Sequence, residues 1–84
     1  MDETQIKEKL KQFICAEVLN NINYPLKDDE VLITSGLMDS FALAQVGVFI
    51  ELEFNVYIPD PELTVDRMNT LSDMAARVSE KQQS

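Results

Sequence analysis

The pair Asp39-Ser40, directly before a strongly apolar segment, is the part of this sequence whose residue types could do chemistry. Asp39 is suited to cap a helix, because its carboxylate can accept a hydrogen bond from a backbone amide of the first turn. Ser40 would then be the first helical residue, with an exposed hydroxyl near unpaired N–H groups and the positive end of the helix dipole. A phosphodiester on Ser40 would therefore be favoured electrostatically, although capping alone is the commoner reason for such a pair.

The segment that must position Ser40, residues 40–54, is the clearest predicted helix. At about 100° per residue, one side of it is assigned to the core and collects Leu43, Val46, Gly47, Ile50 and Phe54. A second apolar stripe, Phe41, Val48 and Leu52, falls on nearly the opposite side, with Gln45 beside it. A small bundle buries only one such stripe well, so the second is expected to be exposed unless a loop folds over it. Gly47 costs about 1 kcal/mol relative to alanine inside a helix, which suggests that another segment packs closely there.

Two other amphipathic segments predict helices on either side of this one. Residues 4–20 carry apolar side chains at helical spacing with Thr4 as the N-cap, and residues 71–81 follow Thr70, which opens a capping-box pattern. A short turn is expected at residues 64–68, after a break rich in proline. Phe54 and Ile58 are expected to anchor the end of the middle helix and its exit loop.

Residues 21–39 show no periodicity and predict a long ordered loop between the first and second helices. Apolar side chains that could hold this loop on the core are Ile22, Leu26, Val31, Leu32 and Leu37. The fold class predicted is therefore all-α: a single domain over residues 1–84, ordered over about 4–80, with three main helices and one short helix. The acidic run at residues 28–30 lacks the alternation and the glycine of a calcium-binding EF-hand loop, so a solvated loop is the better interpretation and no metal site is expected.

Composition narrows the classes of function. The chain has 84 residues, with 7 basic and 15 acidic side chains and a net charge of −8. Binding to nucleic acid or to an anionic membrane surface needs clustered Lys and Arg, so neither is expected, whereas basic protein surfaces are natural partners. Histidine is absent, which removes the commonest general base and metal ligand, so no catalysis is expected.

The single Cys15 cannot form an internal disulfide and predicts a reducing compartment. The sequence also contains no apolar stretch typical of a signal peptide or a membrane helix. A cytoplasmic protein without membrane insertion is therefore expected.

Three short motifs together resemble the phosphopantetheine-binding carrier proteins, which are the acyl and peptidyl carriers of fatty-acid, polyketide and nonribosomal-peptide synthesis. They are Ser35-Gly36-Leu37-Met38-Asp39-Ser40-Phe41 opening the middle helix, Glu51-Leu52-Glu53-Phe54 closing it, and Ile58-Pro59-Asp60 soon afterwards. The resemblance covers roughly residues 4 to 80. Phe41 after the serine, with Ala42 and Gln45 where acids are common in the fatty-acid type, is more similar to discrete carriers dedicated to one pathway, including some that load amino acids.

This resemblance implies that a phosphopantetheinyl transferase uses coenzyme A to attach 4′-phosphopantetheine to Ser40, beside the helix cap Asp39. The thiol of the arm would hold acyl or aminoacyl groups as thioesters and present them to loading and transferring enzymes. The carrier itself would be a monomer and not an enzyme.

Acids such as Glu51 and Glu53 would steer basic enzyme surfaces. The enzymes would dock on the middle helix at Phe41, Gln45, Val48, Glu51 and Leu52. The alternative, from a different class of function, is an unmodified acidic helical adaptor that binds a basic protein partner.

Overall fold

The computed structural model describes residues 2–83, and within that range the chain forms helices, turns and loops without a strand. The four α-helices are α1 (Glu3–Phe13), α2 (Ser40–Phe54), α3 (Val65–Met68) and α4 (Leu71–Gln83). A π-helical turn, Ile14–Val18, extends α1, and a 3₁₀ turn, Asp60–Glu62, lies between α2 and α3. This is the predicted all-α bundle of three main helices and one short helix, with the long loop between α1 and α2. Met1 and Ser84, at the ends of the predicted domain, lie outside the described residues.

The N-terminus of α1 is capped by Asp2, so the prediction of Thr4 as the cap is wrong. The Asp2 carboxylate accepts a hydrogen bond of 2.9 Å from the Gln5 amide, and the Gln5 side chain accepts one of 3.3 Å from the Asp2 amide. This reciprocal capping box satisfies two donors at once, which a hydroxyl at Thr4 could not do for a helix that begins at Glu3.

A wide turn at the end of α1 changes which side chains reach the core. The Leu19 amide donates to the Ile14 carbonyl at 2.9 Å, five residues back rather than four. A continuous α-helix would bring Glu17 next onto the apolar stripe, whereas here Glu17 is exposed and Val18 and Leu19 pack against the core. The same turn buries Cys15, which the α-helical wheel places off the main stripe, and burial raises the pKa of its thiol.

Helix α2 begins and ends at the predicted residues. Four of the five side chains assigned to its core side are buried, and these are Leu43, Val46, Ile50 and Phe54. The fifth position, Gly47, is half-buried, and a Cβ built there would lie 3.2 Å from Cδ1 of Leu63. The close approach of another segment predicted from Gly47 is therefore confirmed. Asn55 ends the helix in the left-handed conformation, with φ of 57°.

The long loop is fixed to the rest of the fold partly by apolar side chains and partly by Asn69. Leu26, Leu32 and Met38 are buried, but Ile22 is 76% exposed and Val31 43%, so two of the five predicted anchors are wrong. Hydrogen bonds from three loop amides to Asn69 hold this part of the loop. The Leu32 amide donates to the Asn69 carbonyl at 2.7 Å, and the amides of Ile33 and Thr34 donate to the Asn69 side-chain oxygen at 2.9 and 3.2 Å. Polar contacts with the segment before α4 thus determine the path of the loop.

Helix α4 makes its most extensive contact with α1. Thr70 caps it as predicted, accepting from the Asp73 amide at 3.0 Å. The four predicted core positions of this helix are fully buried, and these are Leu71, Met74, Ala75 and Val78. Ile58 is also buried, as expected of a side chain that anchors the segment after α2.

Candidate functional site

Asp39 and Ser40 occupy the positions that the sequence predicts for them at the start of α2. Asp39 has an extended backbone, and its Oδ1 accepts a hydrogen bond of 2.8 Å from the Ala42 amide. Its carbonyl accepts the first helical hydrogen bond, 3.0 Å from the Leu43 amide. Ser40 is the first helical residue and is exposed. The hydroxyl is therefore presented to solvent by a backbone that the Asp39 cap holds in place.

Two backbone donors beside the Ser40 hydroxyl are unused. The amides of Ser40 and Phe41 donate to no acceptor within residues 2–83, because Asp39 engages only the amides of Ala42 and Leu43. Such orphan N–H groups carry most of the partial positive charge at a helix N-terminus. An anion attached through the Ser40 oxygen would therefore meet donors already in place.

A shallow groove of about 260 Å³ begins at Ser40 and separates α2 from the 3₁₀ turn. We call it the Ser40 groove, and it is lined by Ser40, Leu43, Ala44, Asp60 and Leu63. Leu63 packs across α2 at Gly47, so it forms the wall of the groove opposite the helix. Sequence reasoning did not assign Asp60 or Leu63 to the site, although the glycine at position 47 indicated that some segment lies there.

A cluster of charges fixes the wall of the Ser40 groove to α4. The Glu62 carboxylate pairs with Arg77 and, at 3.2 Å, with Lys81, and Arg77 also pairs with Glu80 at 2.9 Å. Hydrogen bonds from Lys81 and then Arg77 hold the pKa of Glu62 below its usual value, although partial burial acts in the opposite direction. Because Glu62 directly precedes Leu63, this cluster also holds Leu63 in position.

The second apolar stripe of α2 is exposed, and the long loop does not fold over it. Phe41 is 73% exposed, Val48 57% and Leu52 82%, and Gln45 and Glu51 are exposed beside them. The five residues expected to contact partners thus share the uncovered side of α2, with Phe41 adjacent to Ser40. Of the two acids on this helix, Glu53 pairs with Lys9 at 2.9 Å, whereas Glu51 makes no ion pair within the described residues.

The acidic run in the long loop has structural contacts of its own. Asp28 pairs with Lys7 at 3.4 Å, and the Tyr24 hydroxyl donates to Glu30 at 2.6 Å. That hydrogen bond is the main reason why the pKa of Tyr24 is raised. Across residues 2–83, no group of three or more His, Cys, Asp or Glu side chains is arranged to hold a metal ion.

Comparison with known proteins does not assign this chain to a family. Neither the protein-family models nor the curated proteins contain a match to it. In the part of the chain that the structure describes, none of the helices has the length and apolar character needed to cross a bilayer. The geometry around Ser40 and the short motifs of the sequence are therefore what indicates a function.

Proposed function

We propose that this protein is a stand-alone carrier that bears 4′-phosphopantetheine on Ser40. The arm would hold acyl or aminoacyl groups as thioesters for biosynthetic enzymes of the fatty-acid, polyketide or nonribosomal-peptide kind. The observation that carries the proposal is the exposed Ser40 hydroxyl at the first residue of a capped helix, beside two unused amides and at the mouth of a groove. The motif from Ser35 to Phe41, which resembles that of carriers, adds to it.

The electrostatics near Ser40 suit an arm that is charged only at its attachment point. The unused amides and the dipole of α2 favour a phosphodiester at Ser40 by about 0.3–1 kcal/mol for an exposed site. Asp60 on the wall of the Ser40 groove would repel a second anion, whereas Leu43 and Leu63 offer apolar surface. The uncharged remainder of the arm is therefore the part that suits the groove.

In this proposal the protein is not an enzyme, and other proteins act on its arm. A phosphopantetheinyl transferase would approach Ser40 first, and loading and transferring enzymes would follow. The exposed stripe of α2 supports such docking, since Phe41 is adjacent to Ser40 and Glu51, beside Val48 and Leu52, makes no ion pair within residues 2–83. The reactive thiol of the carrier would belong to the cofactor, because the thiol of Cys15 is buried in the core. In this proposal the carrier is a monomer and is located in the cytoplasm.

Mass spectrometry of the intact protein tests this proposal directly. After incubation with coenzyme A and a broad-specificity transferase, the wild-type protein should gain the mass of one phosphopantetheine. Ser40→Ala should gain none, and Ser35→Ala should be modified as the wild type is, since the Ser35 hydroxyl donates within its own loop to the Val31 carbonyl at 2.7 Å. Wild-type protein left unmodified by several transferases would contradict the proposal.

The second candidate function is an acidic helical adaptor that is never modified. Its support is the exposed apolar stripe of α2 in a chain with a net charge of −8, which suits a basic protein partner without any arm. The two candidates differ in their dependence on Ser40. An adaptor would bind and act equally well as Ser40→Ala, whereas a carrier with that substitution would bind its enzymes and transfer nothing.

A further inference from the structure

A second groove adjoins the Ser40 groove and continues it along α2. It has a volume of about 140 Å³ and shares Ala44, Asp60 and Leu63 with the Ser40 groove. We call it the Tyr57 groove, because the ring of Tyr57, which is 64% exposed, lines it on the wall opposite α2. The two grooves together form a continuous depression between α2 and the segment 57–63, with Ser40 at one end.

The length of this depression matches the reach of an arm attached to Ser40. Gly47 and Glu51, which line the Tyr57 groove, lie seven and eleven residues after Ser40, or about 10 and 16 Å along the axis of α2. An extended chain advances about 1.2 Å per bond, so the dozen or so bonds between the phosphate and the thiol of phosphopantetheine span about 15 Å. The group that such an arm carries can therefore reach the Tyr57 groove.

The charged side chains that line the Tyr57 groove are both acidic. Glu51 lies on α2 and Asp60 on the opposite wall, both are exposed, and neither makes an ion pair within residues 2–83. Arg77 and Lys81, which approach the same wall from α4, both pair with Glu62 and line neither groove. A cation in the Tyr57 groove would therefore meet two carboxylates with no basic side chain of the groove competing for them.

We infer that the Tyr57 groove receives the ammonium group of an aminoacyl cargo, so that this carrier holds an aminoacyl group and not a neutral acyl group. The inference rests on the proposed function and narrows the cargo that it leaves open. An α-amino group is mostly protonated at pH 7 and would be attracted by Glu51 and Asp60. The ring of Tyr57 adds an aromatic face of the kind that attracts ammonium groups.

The other classes of cargo fit this groove less well. A cargo with a free carboxylate would be repelled by Glu51 and Asp60, and a neutral acyl group would gain nothing from either side chain. An aminoacyl group can use both parts of the surface, because Leu63 and Ile58 offer apolar contact beside the two carboxylates. Charge complementarity therefore favours the aminoacyl group.

The Tyr57 groove differs from the stripe on which enzymes are proposed to dock. Phe41, Gln45 and Leu52 line neither the Tyr57 groove nor the Ser40 groove. Glu51 belongs to both the stripe and the groove, so its substitution alone would not separate docking from contact with the cargo. Asp60 lies on the opposite wall, and its substitution leaves the stripe unchanged.

Two cargos that differ only in an ammonium group test the inference. Coenzyme A analogues with a stable amide in place of the thioester, one alanyl and one propionyl, are attached to the full chain by the transferase, and intact mass spectrometry confirms the attachment. In NMR spectra the alanyl arm should shift the backbone amides of residues 47, 51, 57 and 60 relative to the propionyl arm. The pKa of the ¹³C-labelled alanyl ammonium should be about 0.5 higher than in the free analogue. Two exposed carboxylates within about 6 Å each contribute about 0.3 after screening by 0.1 M salt.

Charge-neutral variants show whether these two carboxylates cause the rise. Asp60→Asn should remove about half of the rise in the pKa of the ammonium, and the double variant Glu51→Gln, Asp60→Asn should remove nearly all of it. The matched control Glu17→Gln, Asp29→Asn removes two charges from exposed residues that line neither groove, so it should keep most of the rise. All of these positions are exposed, so each variant should remain folded by circular dichroism.

The outcomes separate the inference from the proposed function. With Ser40 modified, an alanyl ammonium whose pKa equals that of the free analogue, or amide shifts that are the same for both cargos, would overturn the inference alone. A rise that the control variant removes as fully as Glu51→Gln, Asp60→Asn would mean that the net charge of the chain, and not this groove, attracts the ammonium. Failure of every analogue to attach to Ser40 would overturn the proposed function and the inference with it.

Discussion

Val46 and Val48 lie two residues apart on α2 and provide a matched pair for testing which side of the helix is the core. Val46 is fully buried, whereas Val48 is 57% exposed on the second apolar stripe. The same substitution at the two positions should therefore affect two different properties of the protein. At Val46 it should change the free energy of unfolding, and at Val48 it should change what the protein binds.

The magnitudes follow from burial. Val46→Ala removes two fully buried methyl groups at about 0.8 kcal/mol each and leaves a cavity, for a total loss of about 2–3 kcal/mol. In a domain of this size, each kcal/mol lowers the Tm by about 4–8 °C. Val48→Ala should cost about 0.5 kcal/mol or less, and Val48→Asp less than about 1 kcal/mol, part of it from the added charge one turn from Glu51.

The aspartate substitutions give the sharpest contrast. Val46→Asp places a carboxylate among buried apolar side chains that offer it no partner, at a cost of several kcal/mol. The total stability expected for 84 residues is roughly 4–13 kcal/mol, so this variant should be largely unfolded or close to it.

Urea unfolding followed by far-UV circular dichroism measures the four variants on one scale. Val48→Asp should remain folded yet lose most of its modification by the transferase or of its transfer by partner enzymes. Equal destabilisation at the two positions would refute the assignment of the core side of α2. A folded Val48→Asp with unimpaired modification and transfer by every enzyme tested would refute the docking role of the stripe.

Three further predictions concern the contacts that position the site. Asn69→Ala should lose about 1–3 kcal/mol in urea unfolding, because two loop amides lose their acceptor, and Asn69→Asp, which keeps the oxygen, should lose less. Because the pKa of Glu62 is lowered in the fold, the ionised side chain contributes its full stabilisation above the usual pKa near 4.5, and this contribution is lost as the pH falls below that value. The difference in Tm between wild type and Glu62→Gln should therefore shrink in acid. A difference that stays constant with pH would contradict this. Phe54→Ala should cost roughly 2–5 kcal/mol, and moderate salt should raise the Tm of the wild type by screening its net charge of −8, which melting curves will check.

Helices whose ends carry local signals could be predicted from the sequence. Both ends of α2 agree with the prediction, because Asp39 is a strong cap and the core stripe continues without interruption to Phe54. The cap of α1 also has a local signal, because Asp2 and Gln5 have the spacing of a capping box. The exposure of Ser40 follows from the same local reasoning, since the first residue after a cap points its side chain into solvent.

Features that depend on contacts distant in sequence could not be predicted in this way. At the wide turn Ile14–Val18, Val18 and Leu19 pack against the core and Glu17 stays in water, an arrangement that depends on where the core lies. The sequence predicts that some segment packs on Gly47, and the fold identifies the residue as Leu63. The stacking of Phe13 on Phe49 likewise requires α1 and α2 to be packed side by side.

The sequence by itself determined the helical class, the limits of α2, the cap at Asp39 and the presence of two apolar stripes on one helix, because each depends on residues within a few turns of one another. The tertiary structure decided which of those stripes is covered. The stripe that joins the core shared by α1, α4 and the buried leucines of the loop is covered. The stripe of Phe41, Val48 and Leu52 is left in water, because the loop, whose amides bond to Asn69, does not fold over it. Burial depends on the arrangement of all the segments in space, and no local pattern contains that information.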